Sequence, residues 1–237
     1  MRQSAIAKPR SPAKRVAGIR RATGGKTLTE RAYQELEERI VTLQLKPGEF
    51  ISEYALSHDL KIGRTPIREA LQRLCREDLV TILPRKGILV SETDPRKQLL
   101  VLEVRRELER LVSRLAAQRA TEAQRQQFSA IAADMDRAAK SNDDIMFMRL
   151  DRELNRLITA AAQNDYAARA MRFLQGHSRR FWYLHYKQAA DLPLCARLHA
   201  NQARAVAAGD DKGAAAASDR LIDYVVTFAR ATVIGKV

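Results

Sequence analysis

The chain has 237 residues, 46% of them apolar and 30% charged, with only 10 Gly and 7 Pro and a net charge of +14. That length allows two domains with separate cores, and the composition predicts a soluble, mostly helical globular protein. No apolar run approaches the roughly eighteen residues of a membrane span and no apolar signal segment stands at the N-terminus, so a cytoplasmic location without a membrane partner is expected.

The positive charge is unevenly placed. Residues 1–26 carry eight Lys or Arg and no acid, residues 27–92 ten basic and eleven acidic groups, and residues 93–237 twenty-four and seventeen. Bulk charge therefore does not nominate residues 27–92 as a nucleic-acid binder, and any such case must rest on where particular side chains stand. Cys75 and Cys195 form no motif spacing and read as ordinary thiols of a reducing compartment.

Residues 1–26 lack apolar periodicity and mix Pro, Gly, Ser and basic residues, which predicts a disordered basic tail. It is either a solvated extension or an arm adding nonspecific phosphate contacts. The Gly24–Thr27 stretch GGKT is not a phosphate-binding loop, because Arg20 stands where that motif needs a further Gly and no strand precedes it.

Residues 27–92 read as one domain. Thr27 and Glu30 have capping-box spacing, and Tyr33, Leu36, Ile40 and Leu43 repeat at helical intervals until Pro47-Gly48. A short helix follows at about 53–59, with Tyr54, Ala55 and Leu56 available for packing. After a turn at Ile62-Gly63 comes a helix to about Glu77, with Ile67, Leu71 and Leu74 on one face and Arg64 and Arg68 pointing elsewhere. Val80 to Val90 reads as a β-hairpin with a basic tip at Pro84-Arg85-Lys86-Gly87. Three helices and a hairpin make a winged helix-turn-helix, whose third helix presents its first turns to the major groove of double-stranded DNA.

The stretches LKPGEFISEYALSHDL (Leu45 to Leu60), GRTPIREALQRL (Gly63 to Leu74) and PRKG resemble the GntR family of bacterial transcription regulators, over residues 27–90. The resemblance implies that Arg64, Thr65 and Arg68 contact DNA and that Arg85, Lys86 and Gly87 form a wing on the minor groove or backbone. Gly63 departs from the usual Ser or Thr cap, and Asp78 stands where Gly is common.

Asp94-Pro95 supplies an N-cap and a first-turn Pro, placing a domain boundary near residue 93. Val101, Val104, Leu108, Leu111 and Leu115 alternate spacings of three and four and are expected to be the packing face of the first long helix. Further helices are expected at about 122–140, 143–163, 165–187, 192–208 and 211–233. Residues 93–237 thus predict an all-α antiparallel helical bundle. Within it, Asp151, with Asn155 one turn on, falls on an apolar face, and so does His199; each is a buried polar group needing a partner. Arg149 and Arg152 leave the helix on other faces and read as solvated surface. Phe181, Trp182, Tyr183 and Tyr186 read as filling the bundle or dimer core in preference to lining a pocket.

This region resembles the FadR C-terminal (FCD) domain through Arg105 with Leu108-Glu109, Asp151 with Leu154-Asn155, and His199 through Ala205-Val206 to Gly209-Asp210. The resemblance implies a divalent metal held by an Asp and three His. Asp151 and His199 keep their ligand types, but Asn155 and Leu221 stand at two of the His positions, so a metal is the less favoured reading. Arg105 is then the expected reader of a small carboxylate effector, with Asp151, Asn155 and His199 around it.

The function expected is a homodimeric, ligand-responsive transcriptional regulator that binds a palindromic operator and senses a small organic acid. A metal-dependent helical-bundle enzyme is the first alternative. No His has a Glu three residues before it, and no nucleophile elbow or dinucleotide fingerprint is present, so no enzymatic activity is expected. A nonspecific architectural DNA-binding protein using the basic tail is the second.

Overall fold

A computed structural model describes residues 26–234. The expected basic tail therefore lies outside the described residues, apart from Lys26. Helix α1 (Leu28–Val41) begins where the Thr27 hydroxyl accepts the Glu30 N–H at 3.1 Å. The reciprocal half of the capping box does not form, because the Glu30 carboxylate accepts from Gln34 and Arg73. Strand β1 (Phe50–Ile51), helices α2 (Glu53–Leu60) and α3 (Arg64–Arg76), and strands β2 (Val80–Leu83) and β3 (Gly87–Val90) complete the domain. The strands form an antiparallel sheet in the order β1-β3-β2, with Val80 opposite Val90 and Phe50 opposite Leu89. A two-residue strand is too short to show a period of two, which is why β1 left no trace in the sequence pattern.

Leu36, Ile40, Ile67, Leu71 and Leu74 are buried in one core with Leu56, Val80 and Val90. Tyr54 and Ala55, expected to share in that packing, face solvent, and Leu56 alone anchors α2 among its buried residues. Asp78 has φ +58°, a left-handed conformation in which Gly is unstrained and Asp is tolerated better than most residues.

The second domain contains α4 (Pro95–Arg119), α5 (Glu122–Ser141), α6 (Asp144–Ala161), α7 (Asp165–Ala189), α8 (Leu192–Ala208) and α9 (Asp211–Ile234). Asp94, Thr121, Asp143, Asn164 and Asp191 each cap the helix that follows by accepting first-turn N–H groups. Helix α4 packs chiefly on α9, and α5 on α8.

The face of α4 turned to the core differs from the expected one. Leu102, Arg105, Glu109, Val112 and Ala116 are buried; of the expected face, Leu108 and Leu115 are partly buried against the same core, whereas Val101, Val104 and Leu111 are only partly covered or exposed. Val104 is 53% exposed and its neighbour Leu100 62%. The helix carries two apolar strips, and periodicity alone does not say which of them faces its own core.

The two domains meet along α1 and α7. Val41 of α1 belongs to the bundle's core cluster. Gly176 of α7 lets Leu79 approach so closely that an added Cβ would lie 3.0 Å from Leu79 Cδ1. Nearby, the buried Arg180 guanidinium donates to the Ser91 carbonyl in the connecting segment. Replacing Gly176 with Leu should force this contact apart and lower unfolding stability by about 1–3 kcal/mol in denaturant titration. An unchanged midpoint would mean that the junction is loosely packed.

Candidate DNA-reading face and effector pocket

On α3, burial of Ile67, Leu71 and Leu74 turns Arg64, Thr65 and Arg68 to solvent. Gly63 occupies the N-cap without a side-chain hydrogen bond. Arg68 makes a bidentate pair with Glu53 of α2, at 2.9 Å from Nε and 2.8 Å from Nη2, and Arg64 Nη2 lies 3.8 Å from the same carboxylate. The hydrogen bonds from Arg68 hold the Glu53 carboxyl below the usual carboxylate range. An exposed ion pair of this kind is screened by solvent, so it orients Arg68 without withholding it from another anion. Glu53 has no place among the sequence-derived site residues; its signal is a carboxylate in the first turn of the helix preceding two arginines.

The wing turn is closed by the Lys86 N–H donating to the Leu83 carbonyl at 3.1 Å. Arg85 and Lys86 are exposed at its tip, and Gly87, at φ +103°, would bring a Cβ within 3.3 Å of the Ile51 carbonyl. Tyr54, 74% exposed at the start of α2, adds an aromatic hydroxyl to the same domain's surface.

The bundle holds a small pocket at the meeting of α4, α6, α7, α8 and α9. Asp151 is its hub. Oδ1 accepts from Asn155 Nδ2 at 2.8 Å and lies 3.2 Å from His199 Nε2, while Oδ2 lies 2.9 Å from Arg179 Nε. His199 Nδ1 donates to the Cys195 carbonyl at 2.8 Å, and the Phe147 ring meets the imidazole edge-on. Both ring nitrogens thus face oxygen acceptors, an arrangement that only the doubly protonated imidazolium satisfies. Burial disfavours that charge, but contacts with Cys195 and the Asp151 carboxylate outweigh it, and His199 stands well above the ordinary imidazole value. Burial likewise pushes Asp151 up, and His199, Arg179 and Arg105 more than reverse this, leaving it below the usual range. Burial raises the Cys195 thiol, so this sulfur is not an activated nucleophile. Arg105 also lines the pocket and pairs with Glu109 one turn on.

Of the sequence-derived pocket residues, Arg105, Asp151 and His199 come together. Asn155 does not line the pocket but a cavity between the domains, and reaches Asp151 from that side. Arg179, buried and in contact with Asp151, is absent from the sequence-derived set; its signal is an arginine beside the inward-facing Leu174, Ser178 and Trp182. Arg152, read as solvated surface, is a domain-junction residue bonded to Glu37 and to the Gln34 carbonyl. Arg149 remains exposed, beside Glu38. Phe181, Trp182 and Tyr186 join the bundle core, and Trp182 lines the pocket as well.

The donor set does not fit the family's metal. Leu221, 2% exposed on the pocket wall, offers no lone pair, and Asn155 directs its amide N–H at Asp151. An imidazolium has no free ring nitrogen for a cation, and Arg179 brings a positive charge to the carboxylate a metal would need. His177 and His185 do not line the pocket.

Residues 28–90 match the family model described as bacterial regulatory proteins, gntR family, and residues 100–224, more than half of the chain, match the FCD domain. The chain belongs to the GntR family and carries an FCD domain. Over 73 residues this GntR protein is 40% identical to an uncharacterized HTH-type transcriptional regulator in an unstable DNA locus of Streptomyces ambofaciens, with 31% of each chain covered. Over 139 residues it is 30% identical to the Nta operon transcriptional regulator of Aminobacter aminovorans, covering 59% of this chain and 66% of that one. It therefore spans less than two thirds of the length of these two relatives. The solved structure of E. coli McbR/YncC shares the fold, with a TM-score of 0.75 over 88% of this chain and 100% of that chain at 19% identity. The curated relatives are named as regulators, not as enzymes. Among the described residues no helix is long and apolar enough to cross a membrane.

The Asp151–His199 pair gives this GntR protein a defined pH response. The stabilising contribution of Asp151 is present above about pH 4 and lost as pH falls through its lowered value. That of His199 is fully present below about pH 6.5 and lost as pH rises through its raised value. The melting temperature should therefore fall on the alkaline side of neutrality in the wild type and fall less in His199→Gln. Superimposable curves for the two proteins would contradict the buried imidazolium.

Proposed function

We propose that the protein is a cytoplasmic, DNA-binding transcriptional regulator that acts as a homodimer and responds to a small carboxylate. Two copies of α3 would read half-sites of a palindromic operator, with Arg64, Thr65 and Arg68 at base edges and phosphates and Arg85, Lys86 and Gly87 along the adjoining backbone. The observation that carries this reading is the placement of Arg64 and Arg68 in solvent opposite the buried Ile67, Leu71 and Leu74, beside a basic wing. In the bundle, Arg105 and the His199 imidazolium would attract the effector's carboxylate, and Asp151, steadied by Asn155, would accept from a donor on the same molecule.

Dimerisation is supported by the strip on α4. Val101, Val104, Leu108 and Leu111 repeat at the three-four spacing of a helix-pairing seam; Leu108 packs partly on the bundle's own core, and the other three remain partly or largely uncovered. A second copy of the same strip, related by a two-fold axis, would cover it.

Two measurements test the proposal. In gel shifts against the cognate operator, Arg64→Ala and Arg68→Ala should each lower affinity roughly ten- to hundredfold; unchanged affinity in both would remove α3 from the interface. In sedimentation velocity, Val104→Arg should convert a dimer to a monomer, and a dimer that persists would place the seam elsewhere.

A further inference from the structure

The pocket as it stands holds about 30 Å³, room for roughly two water molecules, and its cations already face internal carboxylates. Arg105 pairs with Glu109, His199 with Asp151, and Arg179 with both Asp151 and Glu37. A carboxylate can enter only by gaining space and by drawing a cation away from one of these partners. Glu109 lies one turn from Arg105 on the same helix, and Asp151 is also held by Asn155, so those two pairings are internal to the bundle.

Arg179 differs. Its Nη1 pairs with Glu37 on α1, in the other domain, and its Nη2 donates to the Met148 carbonyl at 3.0 Å. Its Nε lies close to Asp151, but the N–H is not aligned on that oxygen and is buried without a hydrogen-bond acceptor. The pocket side of this guanidinium thus carries a donor that is ion-paired to Asp151 but poorly aligned on it. Glu37 is only 5% exposed, and its second oxygen pairs with Arg152 of α6. Arg179 is also a wall of a larger cavity between the domains, about 250 Å³, which Glu37 and Arg152 line as well. The Arg179 side chain therefore borders both spaces and helps to separate them.

We propose that Arg179 is a cation shared between the effector and the DNA-binding domain. A carboxylate in the pocket competes with Glu37 for its guanidinium, so that effector binding loosens α1 from the bundle. This rests on the carboxylate-effector reading above. A bidentate pair with the effector turns the guanidinium from Glu37, whose buried carboxylate is then left with Arg152 alone. Helix α1 packs on α3 as well as on α7, so the freed helix changes how the recognition helix is held against the bundle. Linkage requires the converse: weakening the Glu37 contact strengthens effector binding, up to the factor by which the effector weakens that contact.

The test is calorimetric titration of the full chain with acetate, malonate and citrate as probes, in the wild type and in Glu37→Gln, Arg152→Gln and Arg105→Gln. Glu37→Gln should bind the responding probe about fivefold or more tightly. Arg152→Gln, which removes the other partner of Glu37 and lies outside the pocket, should bind it more weakly, because Glu37 then holds Arg179 harder. A residue that merely stabilises the fold would weaken binding in both. Unchanged or weaker binding in Glu37→Gln, with wild-type binding abolished by Arg105→Gln, overturns the sharing of Arg179 and leaves the effector reading standing. Absence of binding in the wild type and in Glu37→Gln alike defeats the carboxylate reading and this proposal together.

Discussion

A carboxylate taken out of water must be given charged partners, and at the junction of α1, α6 and α7 the Glu37 carboxylate takes both of its partners from the other domain. Much of the domain arrangement depends on that requirement. Arg152 and Arg179 approach Glu37 from two bundle helices, and Val41 lies one turn further along α1 in the bundle's own core. Gly176 keeps α7 close enough for Leu79 to fill the gap beside them. The winged helix-turn-helix is therefore held by a specific buried contact and not merely tethered by the segment around Ser91 to Asp94.

The same contact reaches the pocket through one residue. Arg179 stands between Glu37 and Asp151, and Asp151 is in turn bonded to His199 and Asn155. At Asp151, where the FCD resemblance implies a metal, the structure places the Arg179 guanidinium and the His199 imidazole. The pocket's charges are balanced internally by ion pairs, so under the proposed function a ligand would act by rearranging those pairs.

Most of the helix starts are legible in the sequence because they are marked by a local chemical event, such as the Thr27, Asp94, Asn164 and Asp191 caps, that acts over three or four residues. The recognition helix is legible for the same reason, its apolar stripe and its arginines lying within one short segment. Two features are not. The burying face of α4 is misread because Leu102, Val112 and Ala116 compete with an equally periodic strip, and only the neighbouring helices decide between them. Arg152 reads as a solvated charge, and Glu37 and Arg179 draw no notice, since the pairings that bury them join residues 115 and 142 positions apart. Asp151 and His199 are recognisable as buried polar groups in need of partners, but Arg179 as the partner is a tertiary fact.

The coupling of the two domains through Glu37 is tested most directly by differential scanning calorimetry of the full chain, with Trp182 fluorescence as a reporter of the bundle. In the wild type a single cooperative transition is expected, with the fluorescence change coincident with the heat absorption. In Glu37→Gln the winged helix-turn-helix should unfold in a separate, earlier transition that leaves the Trp182 signal unchanged. A single coincident transition in that variant, or two resolved transitions already in the wild type, would contradict the account.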